Sequence, residues 1–403
     1  MSTAASLRGI GRQLDDPASL GRAIDELLAP RTEPPTLLGL GEPTHGIEAF
    51  PLLRNELLGQ LVERGYRSIV LEIDVCAASV VDDYVGGARG DVDEVLATGF
   101  SHGFGAVPGN RELVEWLRAH NAERAPQDRV RFYGFDAPVE YSGAPSPRRA
   151  LSSVNDYLPA ALRPESVRDL DVLLGADAGW TNEAAMFDPA ASIGDSDRAR
   201  ALRIVADDLA SALRRAAPAR CPADPNGYAH AAAHARTAQG LLRYHAAMAS
   251  PAPDRIATLL SLRAEMMAEN LLAIVAQEQR RGPSLVFAHN AHLQRAHTSI
   301  GDDDMTWGSA GALVGLTLGE RYMFLATDAN PHSDPGTLQN VLAEATTRRA
   351  LFPTPALRAA LAPPIGTGKP IVPGHIPLNP ADLDSADAVI FIADTDGKRH
   401  QYW

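Results

Sequence analysis

The chain contains several short apolar runs, each followed by a group of ionisable or polar side chains. Such a run, stopped by a loop-forming residue, is typical of a buried strand. In an open α/β sheet, ligands bind beyond the carboxyl ends of the strands. The sequence therefore predicts one polar site built from several strand ends. The runs are 36–40, leading to Glu42 and His45; 68–71, leading to Glu72 and Asp74; 130–135, leading to Asp136; and 284–288, leading to His289, Asn290 and His292.

The order of predicted elements indicates an α/β fold, with a mostly parallel sheet core flanked by helices and a helical insertion in the middle of the chain. Strand-like runs resume at 284–288, 321–326 and 388–393, whereas the Pro-rich stretch 350–387 is expected to be extended on the surface. We therefore divide the chain into a first α/β part (1–145), a helical insertion (146–281) and a second α/β part (282–403). The insertion is either a lid or wall over the site or a purely structural bundle.

Composition excludes several classes of function. The chain has 403 residues, 45% of them hydrophobic, and a formal net charge of −13 without a Lys/Arg cluster, so nucleic acid is not expected as a partner. Cys76 and Cys221 lie far apart and do not suggest a disulfide framework. Neither a signal peptide nor a membrane-spanning run is apparent. We expect a cytoplasmic protein that acts on a small molecule away from membranes.

The loop Gly41-Glu42-Pro43-Thr44-His45-Gly46 carries the strongest candidate for a catalytic base. An imidazole exchanges protons near neutral pH, so His45 suits general-base chemistry. Glu42 either orients that imidazole or lies at the positive N-terminus of the next helix. Glu72 is either part of the same site or an exposed acid at a strand end. Arg54 either holds an oxyanion or pairs on the surface with Glu56 or Glu63.

The segment His289-Asn290-Ala291-His292 is the next strongest signal. Two histidines three positions apart after a strand suit metal binding or acid, base and oxyanion roles, although one of them can simply hold the loop. His230 and His234 have zinc-like spacing, but the Glu of the metalloprotease motif is missing, so an ordinary helix face is the better interpretation.

Several catalytic signatures are absent from the sequence. There is no G-x-S-x-G nucleophile elbow, no P-loop and no G-x-G-x-x-G dinucleotide fingerprint, and neither cysteine has a nucleophile signature. If the protein is a hydrolase, this favours a water molecule activated by histidine and carboxylate over a covalent Ser or Cys route.

Taken in order and spacing, a set of segments between about residues 35 and 327 resembles the erythromycin esterase family. They are Gly41-Glu42-Pro43-Thr44-His45-Gly46, Arg54, Leu71-Glu72, Phe135-Asp136, Arg263 with Met267-Ala268-Glu269-Asn270, His289-Asn290-Ala291-His292, Trp307-Gly308 and Leu318-Gly319-Glu320-Arg321-Tyr322.

The resemblance implies an α/β core with a helical middle and a hydrolase that opens macrolide lactones without a metal or other cofactor. It assigns the general base to His45 and essential roles to Glu72 and His289. Arg54, Glu42, Arg263 and His292 match positions that support the site, and we group Asp136 with them. One departure is Ser101-His102-Gly103-Phe104-Gly105, where the family has a tryptophan-containing loop. We expect His102 and its loop to contact substrate, so the substrate need not be erythromycin.

Three hypotheses follow from these residues. In the first, the protein hydrolyses an ester or lactone: His45 deprotonates water, Glu72 orients and charges the imidazole, and Arg54 with His289 stabilises the oxyanion. In the second, the same acid–base site drives cyclisation, elimination or isomerisation in natural-product biosynthesis. In the third, the His-rich crevice binds a metal or haem without catalysis.

Overall fold

The structure is a computed structural model that describes residues 3–140, 143–300, 305–330, 332–361 and 364–395. The strands are β1 (Arg12–Gln13), β2 (Leu37–Glu42), β3 (Ser68–Asp74), β4 (Arg131–Asp136), β5 (Ser284–His289), β6 (His297–Ile300), β7 (Met305–Gly308), β8 (Tyr322–Ala329), β9 (Arg349–Pro353) and β10 (Ala388–Ile392). The helices are α1 (Thr3–Ile10), α2 (Pro17–Leu28), α3 (Ala49–Glu63), α4 (Ala78–Val85), α5 (Val92–Gly99), α6 (Pro108–Ala122), α7 (Arg148–Tyr157), α8 (Leu170–Leu174), α9 (Ala184–Phe187), α10 (Asp197–Ala223), α11 (Pro225–Met248), α12 (Arg255–Glu278), α13 (Asn290–Leu293), α14 (Ala310–Leu318), α15 (Leu338–Ala345) and α16 (Thr354–Ala360).

An eight-stranded sheet forms the centre of the fold, with the strand order β1-β9-β10-β8-β2-β5-β3-β4. The run from β10 to β4 is parallel throughout, and β9 is antiparallel to both β10 and β1. Because the strands from β10 to β4 run in one direction, their polar carboxyl ends lie along one edge of the sheet. The predicted α/β fold with a mostly parallel sheet is confirmed.

Both faces of the sheet are covered by helices, as the continuous burial of β2, β5 and β8 requires. Alternate strand residues such as Leu38 and Phe287 join a core with α3, α4 and α6. Their neighbours in sequence, such as Leu37 and Val286, join a core with α12 and α14 on the opposite face.

The chain between β4 and β5 is helical, as the sequence predicts. In its described part, 143–283, the secondary structure consists of helices and turns and includes no strand. Helices α7, α10 and α11 have an apolar core of their own around Leu151, Leu209 and Trp180. In contrast, Met267 and Leu271 of α12 pack with the strands. The division at 146 and 281 therefore stays a proposal for the domain organisation.

The interpretation of 350–387 as an extended segment is wrong at its start. Residues Arg349–Pro353 form β9, which pairs with β10, and Thr354–Ala360 form α16. The prolines misled the interpretation because Pro353 lies at the strand end, where a missing N–H costs little, and Pro355 lies in the first turn of the helix. None of the described helices is long and apolar enough to cross a membrane.

Candidate active site

The site lies at the carboxyl edge of the sheet, where the loop after β2 meets the ends of β3, β4 and β5. Two glycines shape that loop. A Cβ on Gly41 would lie 2.1 Å from Asn290 Oδ1, so only glycine allows β2 to approach the start of α13. Gly46 has φ = 85°, the left-handed region that glycine adopts without strain. Together they fix the course of the backbone around His45.

His45 is held by Glu42 from the same loop. Its Nδ1 lies 2.8 Å from Glu42 Oε1, and a quarter of its side chain is exposed. Helix α3 begins only at Ala49, after Glu48, so Glu42 orients the imidazole and does not cap the helix. Burial opposes a positive charge on His45, but the carboxylates of Glu72 and Glu42 outweigh it and raise the pKa of His45 above 6.5.

Three basic side chains surround one oxygen of Glu72. Oε1 lies 3.2 Å from His292 Nε2, 3.2 Å from Arg263 Nη2 and 3.8 Å from His45 Nε2. The other oxygen, Oε2, accepts the backbone N–H of His289 at 2.8 Å. Burial would raise the pKa of Glu72, but His292, His45 and Arg263 together hold it well below its usual value. Glu72 is therefore an ionised carboxylate between the ends of β3 and β5.

Both ring nitrogens of His289 are engaged with the backbone. Nε2–H donates to Pro43 O at 3.0 Å, and Nδ1 accepts the N–H of Ala291 at 3.1 Å. Burial, with His45 and His292 nearby, lowers the pKa of His289 to about 3. This arrangement fixes a neutral imidazole that holds the His45 loop on β5, which differs from the expectation that His289 stabilises an oxyanion.

Arg54 lies beneath His45 and not in the open cleft. Its guanidinium donates to Asn110 Oδ1 at 2.7 Å, to Gly109 O at 2.9 Å and to Asn55 Oδ1 at 2.8 Å, and it lies over the Phe287 ring. Burial lowers the pKa of Arg54 to about 9. With Glu42, Arg54 lines a cavity of about 30 Å³, enough for about one water molecule. The surface pairing with Glu56 or Glu63 is not among these contacts, and Arg54 faces this small cavity and not the wide cleft.

Arg263 of α12 ties the helical segment to the strand ends. It donates to Asp136 through Nε at 3.0 Å and through Nη2 at 2.6 Å, and also reaches Glu72. His102 bridges two further carboxylates, with Nε2 3.0 Å from Asp136 Oδ2 and Nδ1 2.7 Å from Glu140 Oε2. Burial disfavours the charges, but Arg263 and His102 lower the pKa of Asp136 to about 2. Burial would lower the pKa of His102, but the carboxylates of Asp136 and Glu140 raise it to about 10.

A cleft of about 1020 Å³ opens above these groups. One side is formed by the strand-end loops, which contribute His45, Glu72, His102, Phe104, Glu140 and His292. The opposite side comes from the helical segment and is mostly apolar, with Met186, Phe187, Tyr244, Ile256, Leu259 and Leu260 beside Arg255 and Arg263. Phe187, which is 71% exposed, therefore lines the cleft and does not pack into the hydrophobic core.

Sequence reasoning did not single out the apolar side of this cleft. Arg255, Leu259 and Arg263 are spaced four apart on α12, so the position of Arg263 alone could have indicated which helix face points to the site. Phe104 of the altered loop also belongs to the site, since its ring centroid lies 5.0 Å from that of His45.

Two pairs of histidines, His289 with His292 and His230 with His234, have a sequence spacing that suits a metal ion. In the described ranges, no three His, Cys, Asp or Glu side chains are placed so that they could hold a metal ion. His234 instead lies with Nδ1 3.3 Å from Cys76 Sγ, and burial lowers the pKa of His234 to about 4 and raises that of Cys76 to about 12. This pair is therefore neutral near pH 7.

A comparison of the chain with protein families gives a match to one family. Its sequence profile, described as Erythromycin esterase, matches residues 61–395. The match begins after the loop that carries Glu42 and His45. No curated protein sequence matches the chain.

Three solved structures share the fold along almost the whole chain. A Bacillus cereus protein has a TM-score of 0.73 at 16% identity, covering 97% of this chain and 96% of its own. A protein described as a succinoglycan biosynthesis protein has a TM-score of 0.67 at 16% identity, with coverages of 97% and 96%. A mutant of the erythromycin esterase EreC in its open conformation has a TM-score of 0.69 at 18% identity, with coverages of 98% and 99%.

Proposed function

This chain belongs to the erythromycin esterase family, and we propose that it hydrolyses a carboxylic ester or lactone with a water molecule activated by His45. Membership of the family supports an esterase-like function in general. The observation that supports the specific proposal is the imidazole of His45, which Glu42 orients through Nδ1 while Nε2 is turned towards Glu72 at the cleft.

In the proposed reaction, His45 Nε2 takes a proton from water while the oxygen attacks the ester carbonyl. Nδ1–H donates to Glu42, which leaves Nε2 as the basic nitrogen. The Nε2–Glu72 separation of 3.8 Å is too long for a direct hydrogen bond. Glu72 instead stabilises the imidazolium that forms. The proton then passes from Nε2 to the leaving alcohol oxygen.

Stabilisation of the oxyanion requires donors that reach the cleft. Arg263 and His292 line it and converge on Glu72, whereas Arg54 and His289 direct their bonds to the surrounding protein. We therefore assign oxyanion stabilisation to Arg263 and His292. Arg54 and His289 are assigned to the support of the Glu42–His45 loop, and Asp136 and His102 to the support of Arg263.

The cleft fits a large and partly apolar substrate. Its volume is about 1020 Å³, at the upper end of the roughly 300–1,000 Å³ of small-molecule sites. We propose a macrolide-like or other natural-product ester as the substrate class, and we propose that the helical segment 146–281 forms the second wall of its site.

Labelling with ¹⁸O tests the chemistry directly. The protein is incubated in excess over a panel of macrolides and simple lactones in H₂¹⁸O, and the first-turnover products are analysed by mass spectrometry. Direct water attack places one ¹⁸O in the first acid product. An unlabelled acid in the first turnover would indicate a covalent intermediate on a carboxylate such as Glu72. Loss of water or an unchanged mass would replace hydrolysis by elimination or isomerisation.

The pH dependence of the reaction follows from the raised pKa of His45. A general base is active when deprotonated, so kcat/KM should rise with pH through an apparent pKa above 6.5. Glu42→Gln removes the carboxylate charge that faces Nδ1–H and so lowers the pKa of His45. We therefore expect the rising part of the pH profile to move to lower pH and the plateau rate to fall. Glu63→Gln, an exposed acid on α3, is the matched control and should leave the profile in place. An unmoved limb in Glu42→Gln would contradict the assigned orientation.

A further inference from the structure

A second pair of buried ionisable side chains lies at the carboxyl edge of the sheet, one strand away from His45. Asp328 at the end of β8 and His375 are both fully buried, and His375 Nε2 lies 2.9 Å from Asp328 Oδ1. The strand end repeats the sequence signal of the active-site strands, an apolar run followed by an acid. Neither residue lines the cleft. The proposed reaction therefore leaves a costly pair of buried polar groups without a role.

The pair anchors residues 364–378, which we call the strap. His375 Nδ1 accepts the N–H of Ile371 at 3.0 Å, and Asp328 Oδ2 accepts the N–H of Leu378 at 2.9 Å. Gln339, also fully buried, donates to Asp328 Oδ2 at 2.8 Å and accepts the N–H of Gly368 at 2.6 Å. The strap contains no helix or extended strand, and its Gly366 forms an isolated backbone bridge with Thr337. The buried side chains add hydrogen bonds that regular backbone pairing would otherwise provide.

A strained residue adds a further attachment. Asn330, just beyond β8, has φ = 125°, which a non-glycine residue adopts only when its surroundings enforce it. Its Nδ2 donates to Lys369 O at 2.8 Å, and its Oδ1 accepts the N–H of His332 at 3.2 Å. The strap is thus tied to the end of β8 at several points along its length.

The strap contacts the active-site loop through a backbone hydrogen bond. The N–H of Ile376, next to His375, donates to Pro43 O at 2.9 Å. The same oxygen accepts His289 Nε2–H at 3.0 Å. Pro43 lies between Glu42 and His45, so its two donors fix the peptide that connects the orienting carboxylate to the base.

We propose that Asp328 and His375 are positioning residues for His45: they anchor the strap so that Ile376 fixes the backbone of the loop carrying the base. This inference rests on the proposed function of His45. A shift of the base by about 1 Å can cost about 100-fold in rate, so a contact to the backbone of this loop is well placed to control turnover. Because the strap lies outside the cleft, its loosening should lower kcat and leave KM nearly unchanged.

The experiment compares His375→Leu, His375→Gln and Asp328→Asn with wild type. Leucine removes both hydrogen bonds, whereas glutamine retains an amide N–H that can reach Asp328. We expect kcat to fall about tenfold or more in His375→Leu and Asp328→Asn, with KM within about twofold, and a partial recovery in His375→Gln. Asp82→Asn is the matched control. Asp82 is also a buried acid, and it accepts hydrogen bonds from the backbone N–H of Phe132 and from the side chain of Arg131. Its side chain lies at the start of β4, at the opposite edge of the sheet from His45.

A second measurement follows His45 without a substrate. The pKa of its imidazole is determined by NMR titration in each variant. Its charged neighbours Glu42, Glu72 and Arg263 are unchanged in these variants, so a lower pKa in His375→Leu reports a loosened contact with Glu42. The inference would be overturned if Asp82→Asn lowered kcat as much as His375→Leu does at the same loss of Tm. It would also be overturned if His375→Leu left both kcat and the pKa of His45 unchanged. Failure of the proposed function would appear separately, as wild-type protein that does not hydrolyse any ester.

Discussion

Replacing His45 by alanine is expected to lower kcat/KM for the hydrolysed ester by about 10² to 10⁴-fold, the range that a positioned general base contributes. The loss should appear in kcat, because the cleft keeps its apolar side and KM depends on those contacts. Glu42 and Glu72 would remain, but neither is a substitute, since their carboxylates are turned towards the imidazole and the surrounding cations. Steady-state kinetics on the substrate found by mass spectrometry measures the effect.

His230→Ala is the control for this substitution. His230 is exposed on α11, and the variant should keep full activity and stability. Turnover by His45→Ala at the wild-type rate would show that another group deprotonates the water. Equal losses in both variants would point to an effect of the preparation and not of the base.

The second large effect concerns stability and the charge balance beneath the cleft. Arg263→Met removes the cation that contacts Asp136 and Glu72, whose side chains are 0% and 5% exposed. Breaking a buried pair in this way costs about 3–5 kcal/mol, because the carboxylates are left without their partner. We expect a loss of unfolding free energy of that order in denaturant titrations near pH 7, together with a loss of activity.

The sign of the pH dependence follows from Asp136. Burial opposes ionisation of Asp136, but Arg263 and His102 together hold its pKa near 2, below its ordinary 3.8. The native protein therefore gains stability above pH 3.8 and loses it as the pH falls towards 2. The variant lacks the part of that gain that Arg263 contributes. Its deficit against wild type should therefore be largest near neutral pH and shrink below about pH 4.

Arg200→Met provides the comparison for this prediction. Arg200 also contacts two carboxylates, Asp195 and Asp197, but its side chain is 58% exposed. Exposed pairs contribute about 0–1 kcal/mol, so this variant should unfold almost like wild type. Equal costs for the two substitutions would contradict the interpretation of Arg263 as a buried link between the helical segment and the strand ends.

Local patterns were informative wherever a short stretch of chain determines its own structure. The apolar runs at 36–40 and 284–288 became β2 and β5 because a strand buried on both faces needs continuous apolar side chains. The same strand ends then place Glu42, Glu72, Asp136 and His289 at one edge, as parallel pairing requires. Pro-rich residues around 353 were misleading, since proline excludes pairing only at positions that need an N–H.

The α/β fold, the mostly parallel sheet and the set of ionisable residues at its carboxyl edge could all be predicted from the amino-acid sequence. These depend on periodicity and on the order of elements, which are local properties of the chain. The direction of each side chain, in contrast, depends on the folded chain: His289 donates to Pro43, Arg54 donates to Asn110, and Arg263 of α12 donates to Glu72. Such choices depend on contacts between residues far apart in sequence, where burial and charge select one rotamer, and no local pattern carries that information.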